Sequence, residues 1–364
     1  MKPGDCSPLE RRCDEAWKHW LLNGNITRVR DPPECCRPWH AFDMFTIEYA
    51  EGYRGILKVR KHSEMTSDVV GYHVERLLGL NMTVPVFSWA LSEERYRALV
   101  GGLRDAGVTA DDGRRRRERW EAMGQLQTWF GYVAAEVQPF YTTPFIRVDG
   151  SVCAKMPGEA LHPRNVFKCA ANGSLPAASQ QLLGHGGERR SRAEMESTCK
   201  VPAADVVDAL LFDFLTNMVD RKGNCFLDPA TGRILLFDND SGSWDPQRTY
   251  PHGSGCCYPN LKRVRLRDIL AAPDRVNPVD CKFSRRTVLL LQRLMAFHPD
   301  GMGGLLRESL HADHAFAYMD AAFERLQPYD PYQVTNDRVR QYLGFFEDCS
   351  QHYLDQELFL HPPN

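Results

Sequence analysis

An apolar helix followed by a short β-hairpin, over residues 202–238, is the feature that most constrains the fold of this chain. The run "AADVVDALLFDFLTNMV" predicts the helix, and "NCFLD" and "RILLFDN" predict two strands joined at the turn "PATG". Asp220 follows the helix and Asp238 ends the second strand. Because a hairpin brings its two ends together, both carboxylates can meet at one site. The alternative is that both are solvated acids in turns, where aspartate is common.

Two carboxylates that meet in this way suit phosphoryl transfer. One carboxylate orients the acceptor hydroxyl, and the other holds a divalent metal ion on the phosphates. The spacing of the two acids alone does not separate this hypothesis from the surface-turn alternative.

The N-terminal half supplies a lysine and two further acids. "AFDMFTIEYAEGYRGILKVRKHSE" predicts two alternating strands around a turn, with Lys58 in the second strand. "SDVVGYHVERLLGL" predicts an amphipathic helix with Ser67 or Asp68 as its N-cap. Asp68 and Glu75 are seven residues apart and therefore share a helix face. A strand lysine paired with an acid of the next helix holds nucleotide phosphates in kinase-like folds, whereas the simpler interpretation is ordinary surface charges.

The remaining pattern predicts a small β-rich lobe followed by a larger helical lobe, with the site between them. "TVPVFSWAL" and "LQTWFGYVAAEVQPFY" predict strands, and "LERRCDEAWKHWLL" and "SRRTVLLLQRLMAF" predict helices. Parts of 303–326 and 335–355 are also expected to be helical. We predict four regions: a cysteine-containing extension (1–40), an N-lobe with inserted helices (41–156), a flexible or inserted segment (157–195) and a helical C-lobe (196–364).

Cysteines and sequons indicate an oxidising compartment. The 364-residue chain has twelve cysteines, including the adjacent pairs Cys35-Cys36 and Cys256-Cys257, and no CxxC motif. Buried free thiols in a cytosolic protein are the alternative. The start "MKPGDCSPLERR" lacks an apolar signal region, so we expect that the targeting segment is absent from this sequence. The N-x-[ST] sequons predict glycosylation candidates at Asn25, Asn81 and Asn172, and a fourth sequon begins at Asn239.

Net charge is unremarkable. A formal charge of −2 gives no indication of nucleic acid or of an anionic membrane as a partner. No GxSxG or HExxH motif is present, which argues against the common hydrolase mechanisms.

Several segments resemble the FAM20 / Four-jointed group of secretory-pathway atypical kinases, most closely Four-jointed. The resemblance covers roughly 45–300 in scattered blocks, is most specific over 208–242, and leaves 1–40 and 92–195 unmatched. The segments that carry it are "GYHVERLLGLNMTVPV", "LLFDFLTNMVDR", "LLFDNDSG" and "CKFSRRTV".

The resemblance implies an α+β, two-lobed atypical protein-kinase-like fold that uses ATP with Mg²⁺ or Mn²⁺ in the Golgi lumen or outside the cell. Lys58 would bind the phosphates, Asp220 would be the catalytic aspartate and Asp238 would bind metal. Asn224 lies four residues after Asp220, where ordinary kinases have a metal-binding Asn after five, so its role as a metal ligand stays open. Asp238 as a metal ligand also makes Asn239 part of the site's rim and not a glycan acceptor.

Two assignments stay open within the resemblance. Either Asp68 or Glu75 would pair with Lys58 or approach a second metal. Cys256 and Cys257 fit the paired cysteines of the group's C-lobe, and their candidate disulfide partners are Cys199, Cys281 and Cys349.

The expected function is transfer of the ATP γ-phosphate to Ser/Thr hydroxyls of secreted or cell-surface proteins, including cadherin-type domains. One alternative is a glycan kinase that phosphorylates xylose. Another is a pseudokinase or binding module that regulates a partner. A homodimer, or a heterodimer with a related kinase, is also expected from the resemblance.

Overall fold

The structure is a computed structural model. It describes residues 6–8, 10–30, 44–58, 62–92, 94–95, 99, 133–139, 146–147, 203–216, 218, 225–227, 233–237, 239, 281, 283–313 and 330–360. The chain divides into two compact units. Unit 1 comprises Met1–Arg76, Thr83–Thr142 and Glu308–Pro328, and unit 2 comprises Leu77–Met82, Thr143–Arg307 and Tyr329–Asn364.

Unit 1 contains a five-stranded antiparallel sheet. The strands are β1 (Ile26–Arg30), β2 (Met44–Tyr49), β3 (Arg54–Lys58), β4 (Phe87–Leu91) and β5 (Val133–Pro139), in the order β1-β2-β3-β5-β4. The predicted β2–β3 hairpin and the strands within "TVPVFSWAL" and "LQTWFGYVAAEVQPFY" are confirmed. Buried side chains of these strands include Phe45, Ile47, Leu57 and Val137.

Two helices pack in unit 1. The predicted N-terminal helix is present as α1 (Asp14–Asn23), preceded by a 3₁₀ turn at Arg11–Cys13 and by the disulfide Cys6–Cys13. The next helix, α2, spans His62–Leu78.

The prediction that Ser67 or Asp68 caps α2 is wrong. The helix begins at His62, so both residues lie inside it. The predicted amphipathic pattern is also incomplete, because residues 67–76 are buried on every side of the helix. A helix can be buried all round only when its polar side chains find internal partners. Those partners form the candidate site.

The last turn of a later helix supplies further partners for unit 1. His73 of α2 contacts the Ser309 hydroxyl through Nδ1 at 2.7 Å and lies 3.6 Å from Asp313 through Nε2. Ser88 of β4 donates a hydrogen bond to the same Asp313 carboxylate. These contacts fix residues 309–313 against α2 and the sheet.

Unit 2 contains the predicted helix and hairpin. The helix is α3 (Ala203–Thr216), and a three-stranded antiparallel sheet contains β6 (Ile146–Arg147), β7 (Cys225–Leu227) and β8 (Ile234–Leu236). Cys225 lies opposite Leu236 across the hairpin. The Leu236 amide donates to the Met82 carbonyl at 2.7 Å, which ties the hairpin to the segment after α2.

The rest of unit 2 is helical. It contains β9 (Phe283–Ser284), α4 (Arg285–Phe297), α5 (Gly301–His311, whose last turn belongs to unit 1), α6 (Pro331–His352), α7 (Asp355–Leu358) and β10 (Phe359–Leu360). Asp330 caps α6 by accepting hydrogen bonds from the Tyr332 and Gln333 amides, and Pro331 occupies the first helical position. Arg338 of α6 donates to the Leu215 carbonyl at 2.7 Å, which satisfies the C-terminal end of α3.

A disulfide joins Cys281 to Cys349 and connects the start of β9 to α6. The prediction that Cys281 and Cys349 form disulfides is therefore confirmed, but they bond to each other and not to their candidate partners Cys256 and Cys257. Sequence spacing carries no information about which cysteines meet in the fold. Cys199, Cys256 and Cys257 lie outside the described residues, as does the predicted insertion at 157–195.

The environment of Asp208 in α3 should make the stability of the protein depend on pH. It accepts a hydrogen bond from the Thr287 hydroxyl at 2.7 Å. Burial raises the pKa of Asp208 to about 6, although the hydrogen bond from Thr287 acts in the opposite direction. The folded state therefore binds more protons at this site than the unfolded state between about pH 4 and pH 6, and stability falls as pH rises through that window.

Asp208→Asn removes the ionisation and keeps an oxygen acceptor for Thr287. We expect the variant to be more stable than the parent by about 1–2 kcal/mol at pH 8 and equally stable near pH 4. This difference is smaller than the pKa shift alone would give, because the Asp208 side chain is partly exposed to solvent. Urea unfolding at both pH values measures this. Glu347→Gln, an exposed change on α6, should show no such pH-dependent difference. An Asp208→Asn effect of equal size at both pH values would contradict the assignment.

Candidate functional site

The centre of the candidate site in unit 1 is a buried ion pair between β3 and α2. The Lys58 ammonium lies 2.5 Å from Oδ2 of Asp68, and each side chain is only 1% exposed. Lys58 is the last residue of β3 and stands between β2 and β5, opposite Met44 and Glu136 in the strand register. The sequence had left open whether Asp68 or Glu75 pairs with this lysine. The structure places Asp68 against it.

The burial of Lys58 follows from its strand. All four residues from Gly55 to Lys58 are buried, so both faces of β3 are covered. Simple alternation of buried and exposed residues along the strand would have covered only one face. A buried ammonium is costly unless a charged partner and good hydrogen-bond geometry compensate its lost hydration. Asp68, in the second turn of the helix that follows, provides that partner.

Glu75 lies on the same helix and is fully buried. Its Oε2 accepts a hydrogen bond from Nη1 of Arg76 at 3.0 Å. Arg76 also binds Asp14 of α1, with Nε 2.9 Å from Oδ2 and Nη2 3.2 Å from Oδ1. Burial lowers the pKa of Arg76, but the charges of Glu75 and Asp14 outweigh this and raise it. The arginine therefore stays charged between two carboxylates.

Arg76 and Asp14 are residues that sequence reasoning missed. Asp14 precedes Arg76 by 62 residues, so no local pattern connects them. A signal existed for Arg76 alone: it stands beside Glu75 in an otherwise apolar helical run, and a charge buried there needs an opposite charge nearby. For Asp14, burial is the largest influence and raises the pKa of its carboxyl, while Arg76 opposes the rise.

The two predicted aspartates fall outside the described residues. The same holds for Asn224, so the structure tests none of the assignments of Asp220, Asp238 and Asn224. The elements around them are in place: α3 ends at Thr216, β7 begins at Cys225 and β8 ends at Leu236. Within the described part of the chain, no group of three or more His, Cys, Asp or Glu side chains could hold a metal ion.

The sequons differ in their surroundings. Asn25 and Thr27 are both exposed at the start of β1. Asn81 has a left-handed backbone (φ 56°), its Oδ1 is buried with no hydrogen-bond partner, and Thr83 is buried. Asn239 is 2% exposed. Asn172 is outside the described residues. Among the described helices, none is long and apolar enough to cross a membrane.

The fold is shared with solved kinase structures. A crystal structure of the Golgi casein kinase superposes with a TM-score of 0.54 at 12% sequence identity, covering 98% of this chain and 80% of that one. The same kinase with Mn/ADP bound gives 0.53 at 12% identity, covering 96% and 79%. A structure of hydra Fam20 with sugar gives 0.52 at 12% identity, covering 93% and 89%.

These similarities define the class of the fold. The predicted α+β kinase-like fold with a small β-rich lobe and a larger helical lobe is confirmed, and the resemblance to the FAM20 group is confirmed at the level of the fold. No protein-family model matches the chain, and no curated protein matches its sequence.

We expect substitutions of Lys58 and Asp68 to be strongly coupled in their effects on the free energy of unfolding. Either Lys58→Met or Asp68→Asn leaves one buried group without its charged partner, and each should lower the free energy of unfolding by about 3–5 kcal/mol. The double variant Lys58→Met/Asp68→Asn removes both charges and should lose less than the sum of the single losses. Urea unfolding of the four proteins measures the coupling.

An exposed pair gives the control. Arg340→Gln breaks the surface contact between Arg340 and Asp337 and should cost no more than about 1 kcal/mol. Single losses at Lys58 and Asp68 that simply add in the double variant would show that the two side chains do not interact.

Proposed function

We propose that this protein is an ATP-dependent phosphotransferase of the FAM20 / Four-jointed group that works in the secretory pathway. Its acceptors are Ser/Thr hydroxyls of secreted or cell-surface proteins. The observation that carries the proposal is the buried Lys58–Asp68 pair, which joins a sheet strand to the next helix in a fold shared with the Golgi casein kinase. That is the arrangement with which kinase-like folds hold nucleotide phosphates.

The residues fit a nucleotide. An ammonium has three N–H donors, so its bond to Asp68 is compatible with contact to a phosphate oxygen. Asp68 fixes the position of the ammonium, and the surrounding strands exclude water from it. Such fixed charges stabilise a transition state more strongly than charges that must reorganise in water.

The other roles rest on the sequence resemblance. Asp220 orients the acceptor hydroxyl for in-line attack and accepts its proton, and Arg221 neutralises charge in the same loop. Asp238, with Asn224, is the candidate ligand set for a divalent cation, Mg²⁺ or Mn²⁺. Carboxylate and amide oxygens suit both ions. Mn²⁺ is the better-supported choice, because a similar structure contains Mn/ADP. ATP supplies the γ-phosphoryl group, and ADP is the leaving group.

A glycan acceptor is the second candidate function. A similar structure, hydra Fam20, is described with a sugar, which favours a sugar hydroxyl as an alternative acceptor. Xylose is the sugar that the sequence resemblance suggests. The chemistry at Lys58 and Asp220 would be the same for both acceptors. A pseudokinase that only binds partners is the third candidate, and it predicts no phosphate transfer to any acceptor. Cadherin-type substrates and a dimer with a related kinase stay proposals of the same kind.

Nucleotide binding and Asp220→Asn test the activity. ATP with Mn²⁺ at about one hundred times its dissociation constant should stabilise the protein by about 2.7 kcal/mol, seen as a rise in melting temperature. Asp220→Asn removes the base and should reduce phosphate transfer by about 10²–10⁴-fold while the protein stays folded. Casein-like, cadherin-repeat and xyloside acceptors are assayed in parallel with radiolabelled ATP.

Glu347→Gln, an exposed change on α6, is the matched control and should transfer phosphate at the parent rate. No nucleotide-dependent shift, together with no transfer to any acceptor, would favour the pseudokinase. Transfer by Asp220→Asn at the parent rate would remove Asp220 from its catalytic role.

Glycan occupancy tests which of the predicted sequons are accessible. On expression through a secretory pathway, we expect a glycan on Asn25, because both sequon residues are exposed. Asn81 and Asn239 should be unoccupied in folded protein, since a glycan has no room beside a buried amide. Intact mass should therefore fall by one glycan in Asn25→Gln and stay constant in Asn81→Gln and Asn239→Gln, with Asn172 followed by peptide mapping. A glycan at Asn81 in protein of unchanged melting temperature would refute this reading.

A further inference from the structure

Helix α1 contacts both elements that carry the Lys58–Asp68 pair. At its N-terminal end it binds α2, the helix of Asp68. At its C-terminal end it binds the β2–β3 hairpin, the hairpin of Lys58. All of these residues belong to unit 1.

The contact with α2 is an ion pair that contains one hydrogen bond, from Nη2 of Arg76 to Oδ1 of Asp14. Asp14, the first residue of α1, meets the Arg76 guanidinium at 2.9 and 3.2 Å, and both side chains are largely buried. The same guanidinium donates to Glu75, and at 3.4 Å to the Thr83 carbonyl, and lies over the Tyr72 ring at 5.0 Å. Arg76 is eight residues after Asp68 on one rigid helix, about 12 Å along its axis. The position of Arg76 therefore influences the position of Asp68.

The contact with the hairpin uses two tyrosines. Tyr49 ends β2 and donates to the Leu21 carbonyl at 2.7 Å, and Tyr53 precedes β3 and donates to the Trp20 carbonyl at 2.5 Å. The two rings stack with centroids 4.4 Å apart. The Leu21 carbonyl lies in the last turn of α1, where carbonyls have no partner within the helix, so the Tyr49 hydroxyl satisfies it. The Trp20 carbonyl already accepts from the Gly24 amide at 2.9 Å, and the Tyr53 hydroxyl adds a second hydrogen bond.

The N-terminal end of α1 is also held covalently. Cys13 is the residue before Asp14 and closes a short disulfide loop with Cys6. The Trp17 indole of α1 donates to the Cys6 carbonyl at 3.3 Å, which holds the loop against the helix. The disulfide thus restricts the motion of the residue that Arg76 binds.

We infer that α1 is a positioning element that sets the Lys58–Asp68 distance, and that Asp14, Arg76, Tyr49 and Tyr53 are its positioning residues. The inference rests on the proposed nucleotide-binding function of that pair. Each end of α1 fixes one partner, so loosening either end changes the geometry at the phosphate-binding lysine. None of the four residues is assigned contact with substrate.

A merely structural role for α1 would have a different signature. It would lower the melting temperature and the folded fraction, and the folded molecules would bind nucleotide as the parent does. A positioning role raises the dissociation constant of the nucleotide in folded protein and leaves acceptor binding unchanged. Mutations that act at a distance in this way typically change affinity by about 2- to 30-fold.

The first variant is Asp14→Asn, which keeps the size of the side chain and removes its charge. We expect the KM for ATP/Mn²⁺ to rise by about 2- to 30-fold, and the KM for the acceptor to stay at the parent value. The double variant Tyr49→Phe/Tyr53→Phe loosens the other end of α1 and should show the same pattern.

Arg12→Gln is the matched control. Arg12 is two residues from Asp14, and its ion pair with Glu10 is exposed, so this variant should keep the parent KM. Amide hydrogen exchange adds a readout that needs no activity. In Asp14→Asn, peptides of β3 and α2 should exchange faster than in the parent, and in Arg12→Gln they should not.

The outcomes separate this inference from the proposed function. If the parent binds ATP/Mn²⁺ and both loosened variants bind it equally well, the positioning role is refuted and the proposed function stands. If the parent binds no nucleotide, the proposed function fails, and exchange at β3 and α2 alone decides the role of α1. Unchanged exchange there in folded Asp14→Asn and Tyr49→Phe/Tyr53→Phe would overturn the inference. Should Asp14→Asn fail to fold, the tyrosine pair carries the test, because each change removes only a hydroxyl.

Discussion

The ion pair between Lys58 and Asp68 is the interaction on which unit 1 depends. Two charges with almost no exposure to water are stable only at short distance and in a fixed orientation. The strands on either side of Lys58 and the helix that carries Asp68 must therefore keep one arrangement. Arg76 and His73, two further polar residues buried along α2, are held in the same way by partners from other elements, and Glu75 is held by its neighbour Arg76.

Hydrophobic periodicity was sufficient to predict most of the elements. The β2–β3 hairpin, α1, α2, α3 and the β7–β8 hairpin all follow from local patterns of apolar residues, and Lys58 and Asp68 were both singled out. The sequence could not decide whether Asp68 or Glu75 pairs with Lys58. The two acids share a helix face and differ only in which residues of the folded protein lie next to them. The capping prediction at Ser67 failed because the helix extends five residues further back, through a polar stretch that carries no apolar signal.

Contacts between distant segments were beyond sequence reasoning. Asp14 with Arg76, and Cys281 with Cys349, join residues more than sixty positions apart, and nothing local marks either pair. The low sequence identity to the similar structures also shows that the fold does not depend on particular local sequence motifs. At 12% identity the backbone fold is retained. What a fold of this kind requires is a consistent pattern of buried apolar positions, and many sequences meet that requirement.

The closure of the C-terminal region has a mechanical consequence. Cys281 bonds to Cys349, and β10, close to the end of the chain, pairs in parallel with β9 beside Cys281. A stretching force applied to the two chain ends would pass through the sulfur–sulfur bond and bypass α4, α5 and most of α6. Those helices would stay unloaded under tension for as long as this bond is intact.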